Sequence, residues 1–413
     1  MATSPFYTFY VCALFVCISI LSFYIHQSNK AETPRQEPIT ALGNRTFIIS
    51  PFYDLRNDKE VRVLSIVHVS VKELYCLFHC LPNQMVLVRG QIDIHEDRFD
   101  FPYGTADILC KEPSNCEYDD ISIQESNSTS GEDIVLFRVR NHPPEPYTVK
   151  FTVCISAVFG QYNNVLQAIQ SIEMYRLLGA SRVTIYNNSC SQAMDKVLRY
   201  YSQQGFVEVV QWPIDRHLLT STEWHYAEGL TSQIGYYGQT AALNDCLYRN
   251  MYRSKYVLLN DLDEIILPAK HWNWTSLMVE LEKKFPGTSV FCVDSHTFPV
   301  SANVSGFDLW TKVPGVNILS HPFREPINRN DFNNPKIIVN PRQVLQTSIH
   351  FALKFKGQSR YLDQSMAITF HCRKGKRNDV SQKDLIEDQI LRRYNLSLVP
   401  NVQKVIDHVF SKN

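Results

Sequence analysis

Residues Tyr256 to Pro268 read YVLLNDLDEIILP. An apolar run stops at Asp261, Asp263 and Glu264 and then turns apolar again. The pattern predicts a buried strand with three carboxylates at its tip. Acids crowded there repel one another and lose hydration, so a positive partner is expected to join them.

The residues before this strand alternate between two periods. Val149 to Phe159 is a strand candidate, followed by a helical pattern over Asn163 to Leu178 carrying Val165, Ile169, Ile172 and Tyr175, with Gly179 as its stop. Arg182 to Tyr186 is the next strand. Ser191 to Gln204 is helical, with Met194, Val197, Leu198 and Tyr201 on one face, and Phe206 to Val210 is a third strand. Gln239 to Arg253 forms another helix, carrying Leu243, Cys246, Leu247 and Met251, and delivers the chain to the acidic strand. Strand and helix repeats with short connections predict an α/β domain with a parallel, doubly wound sheet. Such sheets bind ligands at the carboxyl ends of their strands, where Asp261 and Asp263 fall.

Outward from this core the chain divides into segments. Residues 1–5 read as a short cytosolic tail, and 6–25 carry no charge, enough for a helix of roughly 30 Å, the depth of a bilayer core. That span is expected to be a transmembrane signal-anchor. A cleaved signal peptide is the competing reading, but the positive n-region and small-residue cleavage site it needs are missing. Residues 26–45 read as a polar stem, 46–145 as a β-rich, sandwich-like accessory domain, 146–380 as the α/β domain, and 381–413 as a helical tail broken near Pro400. Asn44, Asn127, Asn187, Asn273, Asn303 and Asn395 each open an Asn-x-Ser/Thr triplet. Six such triplets predict a lumenal body, in which most of the nine cysteines after the span pair and one is left over. Cys110 and Cys116 are a plausible pair by proximity, and a disulfide-linked or noncovalent dimer stays open. Lysine plus arginine equals aspartate plus glutamate at 41 each, so no basic excess points to nucleic acid.

In Asp-x-Asp, alternate carboxylates converge on one hard cation such as Mg²⁺, Mn²⁺ or Ca²⁺. That cation would in turn hold a nucleoside diphosphate, which the acids alone would repel. The same tripeptide also caps helices and is common in isolation; here it ends a strand–helix series. No EF-hand loop, phosphate-binding P-loop or GxSxG elbow is present.

The block Gly238 to Pro268, GQTAALNDCLYRNMYRSKYVLLNDLDEIILP, resembles the signature region of glycosyltransferase family 92. So do YRLLGASRVTIYNNS (Tyr175 to Ser189), PKIIVNPRQV (Pro335 to Val344), IHF (Ile349 to Phe351) and FHCRKG (Phe370 to Gly375). The resemblance runs from about Val149 to Lys376. It implies a GT-A nucleotide-sugar-binding fold and an inverting, metal-dependent transfer, most simply of galactose from UDP-galactose. The acceptor would be a terminal galactose or fucose of a glycoprotein N-glycan, joined in β-1,4 linkage. The cation would be Mn²⁺ or another divalent ion, and the setting a type II Golgi membrane protein with its catalytic body in the lumen.

The resemblance also suggests roles. Asp263 is expected to bind the metal, and Asp261 the metal or the ribose, with Glu264 either supporting them or merely solvated. His371 is the expected third metal ligand and His350 its runner-up. Gln239 and Lys336 are candidates for contacting the nucleotide, and Arg342 and Arg373 for holding the diphosphate. The catalytic base is expected to be Asp308 or Glu325, with Asp294 also considered, because the Glu-Asp pair of familiar inverting enzymes is missing from Ser301 to Asp331. Trp310 and Phe323 are candidates for stacking on a sugar or for the core. The alternative function is a noncatalytic, divalent-metal-dependent carbohydrate-binding ectodomain; a metal-dependent hydrolase of nucleotide sugars is weaker.

Overall fold

The computed structural model of the protein describes residues 37–128, 134–141, 146–302, 304, 309–327, 333–376 and 380–410. Residues Pro38–Asn413 form one compact unit. The apolar span at 6–25 lies outside the described residues. Among the described residues, no helix is long and apolar enough to cross a membrane.

The N-terminal part is all β: β1 (Thr40–Leu42), β2 (Thr46–Asp54), β3 (Glu60–His68), β4 (Leu74–Cys80), β5 (Gln84–Ile94), β6 (Tyr103–Lys111), β7 (Tyr118–Gln124) and β8 (Phe137–Arg138). They pair antiparallel in the order β1-β2-β3-β6-β5-β4-β7-β8. β5 changes partner midway, pairing with β4 up to Gly90 and with β6 from Gln91. Glycine is required there, because a Cβ would stand 2.6 Å from Ile108 Cγ2. The change of partner lets strands from both halves enclose one core, with Val61, Val63 and Ile108 from one half and Leu74, Phe78 and Ile121 from the other.

Disulfides Cys76–Cys110 and Cys80–Cys116 staple that core. The close pair Cys110 and Cys116 is therefore not formed, because each faces a partner on the other half of the sheet. A third bridge joins Cys154 to Cys246, leaving Cys190, Cys292 and Cys372 free, three rather than the one expected.

The α/β part follows the predicted alternation closely. β9 (Val149–Val158), α1 (Val165–Leu178), β10 (Arg182–Asn187), α2 (Gln192–Gln203), β11 (Val207–Gln211), α3 (Gln239–Asn250) and β12 (Ser254–Asn260) come in sequence. Gly179 adopts a left-handed φ of 103° and its N–H returns to the Arg176 carbonyl, which ends α1. The Ser191 side chain accepts the Met194 N–H and starts α2. β11, β10, β9 and β12 are parallel.

After β12 the chain adds β13 (Glu264–Pro268), α4 (Trp274–Lys284), β14 (Thr288–Val293), β15 (Ser295–Pro299), β16 (Phe323–Arg324), β17 (Lys336–Val339), β18 (Val344–Thr347), β19 (Ala352–Phe355), β20 (Gln358–Leu362), β21 (Ala367–Arg373), β22 (Ile386–Glu387) and α5 (Asn395–Phe410). The main sheet runs β11-β10-β9-β12-β17-β14-β20. β17 enters antiparallel to both neighbours, so the sheet is mixed rather than purely parallel. The sequence hid this because Lys336–Val339 is too short for its direction to be read. Among the described residues of the C-terminal segment only α5 is a long helix; it runs through Pro400 and buries Leu398, Val402, Val405 and Ile406 in the main core.

Buried ions join the two parts. Arg56 and Arg62 both grip Asp54, and Arg62 Nη1 also reaches Asp107 Oδ2 at 2.7 Å. Asp107 accepts from His95 at 3.0 Å, from Tyr248 of α3 at 3.1 Å and from Gln346 of β18 at 2.9 Å. Burial alone would favour neutral acids, but these partners outweigh it and hold Asp54 and Asp107 well below the usual carboxylate range.

Candidate active site

The Asp261–Glu264 turn leaves β12 at the carboxyl end of the parallel strands. The Glu264 N–H donates to the Asp261 carbonyl at 3.1 Å, and Tyr175 of α1 donates its hydroxyl to the carbonyls of Asp261 and Glu264. The following strand β13 pairs with β21 so that Glu264 stands opposite His371. β17 brings Lys336 alongside from the other side. Two strands distant in sequence, β17 and β21, therefore converge on the tip.

Glu264 is the hub. One oxygen takes the Lys336 ammonium at 2.8 Å and the other the His371 Nδ1 at 3.0 Å, with both Glu264 and Lys336 buried. Burial pushes the Glu264 carboxyl up, but Lys336 and His371 outweigh it and bring it down to about 2. Burial likewise opposes charge on His371, yet Glu264 and Asp263 carry it up to about 10. Lys336 is held above the ordinary lysine value by Asp261 and Glu264 against the cost of its burial. The positive partners that the chain itself brings to the acidic tip are thus Lys336 and, when protonated, His371.

Asp261 accepts from Lys336 at 2.7 Å on Oδ2 and from Ser156 and Gln239 at 3.2 Å each on Oδ1. Both of its oxygens are thus engaged where it faces the cleft. Asp263 Oδ2 lies 3.2 Å from His371 Nε2, and Asp263 is about one-third exposed. Two donor atoms at that spacing match the edge of an octahedron with bonds of about 2.3 Å, so the pair could take two positions of a hard divalent cation. Among the described residues no group of three or more His, Cys, Asp or Glu forms a complete metal site. The remaining positions would fall to substrate oxygens, as is common for cations that act on phosphates.

These residues open on a cleft of about 980 Å³. Arg373 and Lys374 line it, and neither has an acidic partner among the described residues. His350 also lines it, but its Nδ1 contacts the Pro335 carbonyl, and burial with the nearby Lys336 pushes the imidazole down to about 4. Gln239, at the start of α3, reaches the site through Ser156 and Asp261.

Other sequence candidates are not brought to the cleft wall. Glu325 is buried, with its N–H on the Thr297 carbonyl and its Oε1 accepting the Lys376 N–H at 3.0 Å. Asp294 is off the cleft wall as well. Arg342 serves the carbonyls of Tyr252 and Ser254 at the opposite end of β12. Trp310 is buried and donates to Gln403, and Phe323 pairs in the short β16–β22 ladder. Asp308 lies outside the described residues.

Sequence reading missed an aromatic wall. Trp224 stacks on Tyr236 with centroids 4.1 Å apart, Phe159 stacks on Tyr237 at 4.2 Å, and Phe99 meets Trp224 edge-on at 6.1 Å. Tyr236 and Tyr237 both adopt positive φ, 41° and 52°. Bulky residues held in that region mark sites where the surroundings impose the conformation. Aromatics concentrated in the otherwise polar segments TEWHY and GYYG were the available signal; Asp97 and Phe99 offered none.

The glycosyltransferase family 92 model matches residues 149–408, more than half of the chain. The β-1,4-galactosyltransferase galt-1 of Caenorhabditis elegans is 26% identical over 171 residues, covering 39% of this chain and 37% of that protein. Glycosyltransferase family 92 protein F13G3.3 of the same organism is 27% identical over 221 residues, covering 52% and 41%. The galactan β-1,4-galactosyltransferase GALS2 of Arabidopsis thaliana is 27% identical over 144 residues, covering 33% and 25%. The chain therefore spans between a quarter and about two fifths of the length of these curated relatives. Among solved structures, S. aureus TarS aligns at 12% identity and a TM-score of 0.31, covering 54% of this chain and 60% of that one. Glucosyl-3-phosphoglycerate synthase from Mycobacterium tuberculosis, in complex with Mn²⁺ and UDP-glucose, aligns at 10% identity and a TM-score of 0.27, covering 62% and 80%. Likeness that slight transfers neither fold nor ligand. The family match rests instead on the segment that builds the acidic tip and its cationic partners, and by it the chain belongs to glycosyltransferase family 92.

Proposed function

We propose that this chain is an inverting, metal-dependent glycosyltransferase of GT-A type. It moves galactose from UDP-galactose onto a terminal galactose or fucose of a glycoprotein N-glycan, in β-1,4 linkage. One observation carries the reading: the acidic tip at the sheet's carboxyl end, compensated by Lys336 and His371 and open to a cleft that Arg373, Lys374 and Lys376 also line. Family membership supports sugar transfer, and the names of galt-1 and GALS2 support galactose and the linkage. The acceptor rests on the family resemblance. The apolar span at 6–25 and the six sequons support a type II Golgi membrane setting with the body in the lumen.

In this reading Asp263 and His371, the latter after its Nε2 proton has left, would hold the divalent cation, which when bound neutralises the diphosphate and eases departure of UDP. Glu264 orients His371 through Nδ1, leaving Nε2 toward the cleft. Asp261, fixed by Lys336, Ser156 and Gln239, accepts from the ribose, and Arg373 and Lys374 hold phosphate oxygens. The acceptor hydroxyl attacks C1 of galactose opposite UDP; a C1–O bond to the acceptor forms as the C1–O bond to UDP breaks. Asp308 stands as the candidate to take the hydroxyl proton, since Glu325 is committed to backbone.

The test is UDP release from UDP-galactose with Mn²⁺, with and without galactose- or fucose-terminated glycans, beside Asp263→Ala. Acceptor-dependent release abolished by chelator and by the mutation is the expected result. Metal-dependent glycan binding with no affinity for UDP would instead identify a noncatalytic carbohydrate-binding ectodomain.

A further inference from the structure

We infer that Gln167, in the first turn of α1, is a positioning residue for the Asp263–His371 pair: its amide stands in for a strand partner and sets how far the acidic turn lies from β21. The cation those two residues would hold belongs to the proposed transferase function, on which this role rests; the hold on β21 is testable without it.

The acidic turn and β21 part company one residue past the Glu264–His371 pair. In a regular antiparallel ladder the next opposed residues, Asp263 and Cys372, would exchange two hydrogen bonds. Here the Cys372 N–H donates to the Asp263 carbonyl at 3.3 Å, and the Cys372 carbonyl accepts from Gln167 Nε2 at 2.9 Å instead of from Asp263. A side chain from the helix behind thus closes the ladder where Asp263 turns to the cleft. Asp263 Oδ2 and His371 Nε2, 3.2 Å apart, are carried by the two backbone segments that this substitution holds.

The amide is oriented by a chain of bonds with one polarity. A backbone carbonyl only accepts, so Gln167 presents its NH2 group to Cys372 and its oxygen the other way. That oxygen accepts from Asn164 Nδ2, which leaves Asn164 Oδ1 for the Val316 N–H at 2.8 Å. A backbone N–H at one end and a backbone C=O at the other therefore fix both amides. Asn164 is the N-cap of α1, where its oxygen would ordinarily accept an N–H of the first turn, yet it makes no such bond. The Leu166 N–H goes to the Pro314 carbonyl at 2.8 Å instead, and Gly315 sits so close that a Cβ would stand 2.5 Å from Asn164 Oδ1. Gln167 itself is 1% exposed. A helix face that only filled the core would carry an aliphatic side chain there, without the cost of burying an amide. Gln170, one turn on and equally buried, is the natural comparison: its amide bonds to Asn317 Oδ1 and the Ile318 N–H rather than to β21.

The experiment uses the full chain with Gln167→Met, Asn164→Asp and Gln170→Met. The first removes both bonds at similar volume; the second keeps the acceptor for the Val316 N–H and loses the donor to Gln167. Three quantities are measured: Mn²⁺ affinity in the presence of UDP by electron paramagnetic resonance, melting temperature, and hydrogen exchange of residues 367–373 in metal-free protein. Gln167→Met is expected to weaken Mn²⁺ binding by about tenfold or more and to speed exchange in β21. Asn164→Asp should move both in the same direction, by about threefold or more for Mn²⁺. Gln170→Met should lower the melting temperature as much as Gln167→Met while Mn²⁺ affinity stays within about twofold of wild type. An unchanged Mn²⁺ affinity in Gln167→Met would overturn the inference, and so would an equal loss in Gln170→Met, which would assign the effect to packing of α1. Should Gln167→Met fail to fold, Asn164→Asp decides by the same criteria. If wild type binds neither Mn²⁺ nor UDP, the transferase reading falls; faster β21 exchange in Gln167→Met but not in Gln170→Met would still uphold the hold on β21, and unchanged exchange would overturn it.

Discussion

Glu264 decides how the acidic tip can exist. It is the most buried of the three acids, and it alone touches both Lys336 and His371. Lys336→Met should therefore cost about 3–5 kcal/mol in chemical denaturation, because it strands two carboxylates, one of them fully buried. His371→Gln separates function from stability: it retains a hydrogen-bonding group but loses the imidazole nitrogen facing Asp263. It is expected to lower transfer by 100-fold or more and weaken Mn²⁺ activation, while its melting temperature falls far less than that of Lys336→Met. Equal losses of stability in the two variants would mean that His371 is there for the fold alone.

At the level of elements, the site depends on where strands begin and end. β13 and β21 pair with Glu264 opposite His371, and a slip of one residue would turn His371 away. Helix termini were legible because their chemistry is local. Ser191 before α2 and Gly179 after α1 were read from sequence, and both adopt the expected caps. Ser191→Ala should cost about 1 kcal/mol by urea denaturation; Ser191 stands past the carboxyl end of β10, where its N–H donates to the carbonyl of Tyr162 on the cleft wall. What could not be read was the direction of β17. Its four residues look like any short buried strand, and only pairing with β12 and β14 turns Lys336 to the acids.

Across the whole molecule, the N-terminal sheet is fastened to the α/β part by ions that have no access to water. Asp107→Asn should lower stability at pH 7 by about 3–5 kcal/mol. The sign with pH follows from its depressed pKa: the stabilisation is complete above the unfolded carboxylate value near 3.8 and declines as pH falls below it. The gap between wild type and variant should therefore narrow below about pH 4 in thermal melts. The Cys154–Cys246 bridge closes a span of 92 residues between β9 and α3. Replacing both cysteines with alanine should cost about 2–5 kcal/mol, with little loss if the unfolded chain retains structure there. Of the sequons, Asn44 and Asn127 are exposed, whereas the Asn273 side chain caps α4 by accepting the Ser276 N–H. Glycopeptide mapping of secreted or lumenal protein should find Asn44 and Asn127 occupied.

The sequence by itself determined the strand–helix series, its caps, the acidic tip at a strand end and the family, because each is a local pattern of period, turn chemistry or motif. It also singled out His371 and Lys336, two residues the fold delivers to that tip. Only the tertiary structure decided that Glu264 joins them, that Glu325 and Arg342 point elsewhere, and that Asp97 and Phe99 reach the cleft from a different sheet. The division has a physical cause. Backbone periodicity is written in neighbouring residues, whereas charge compensation and cleft walls depend on which distant strands lie side by side.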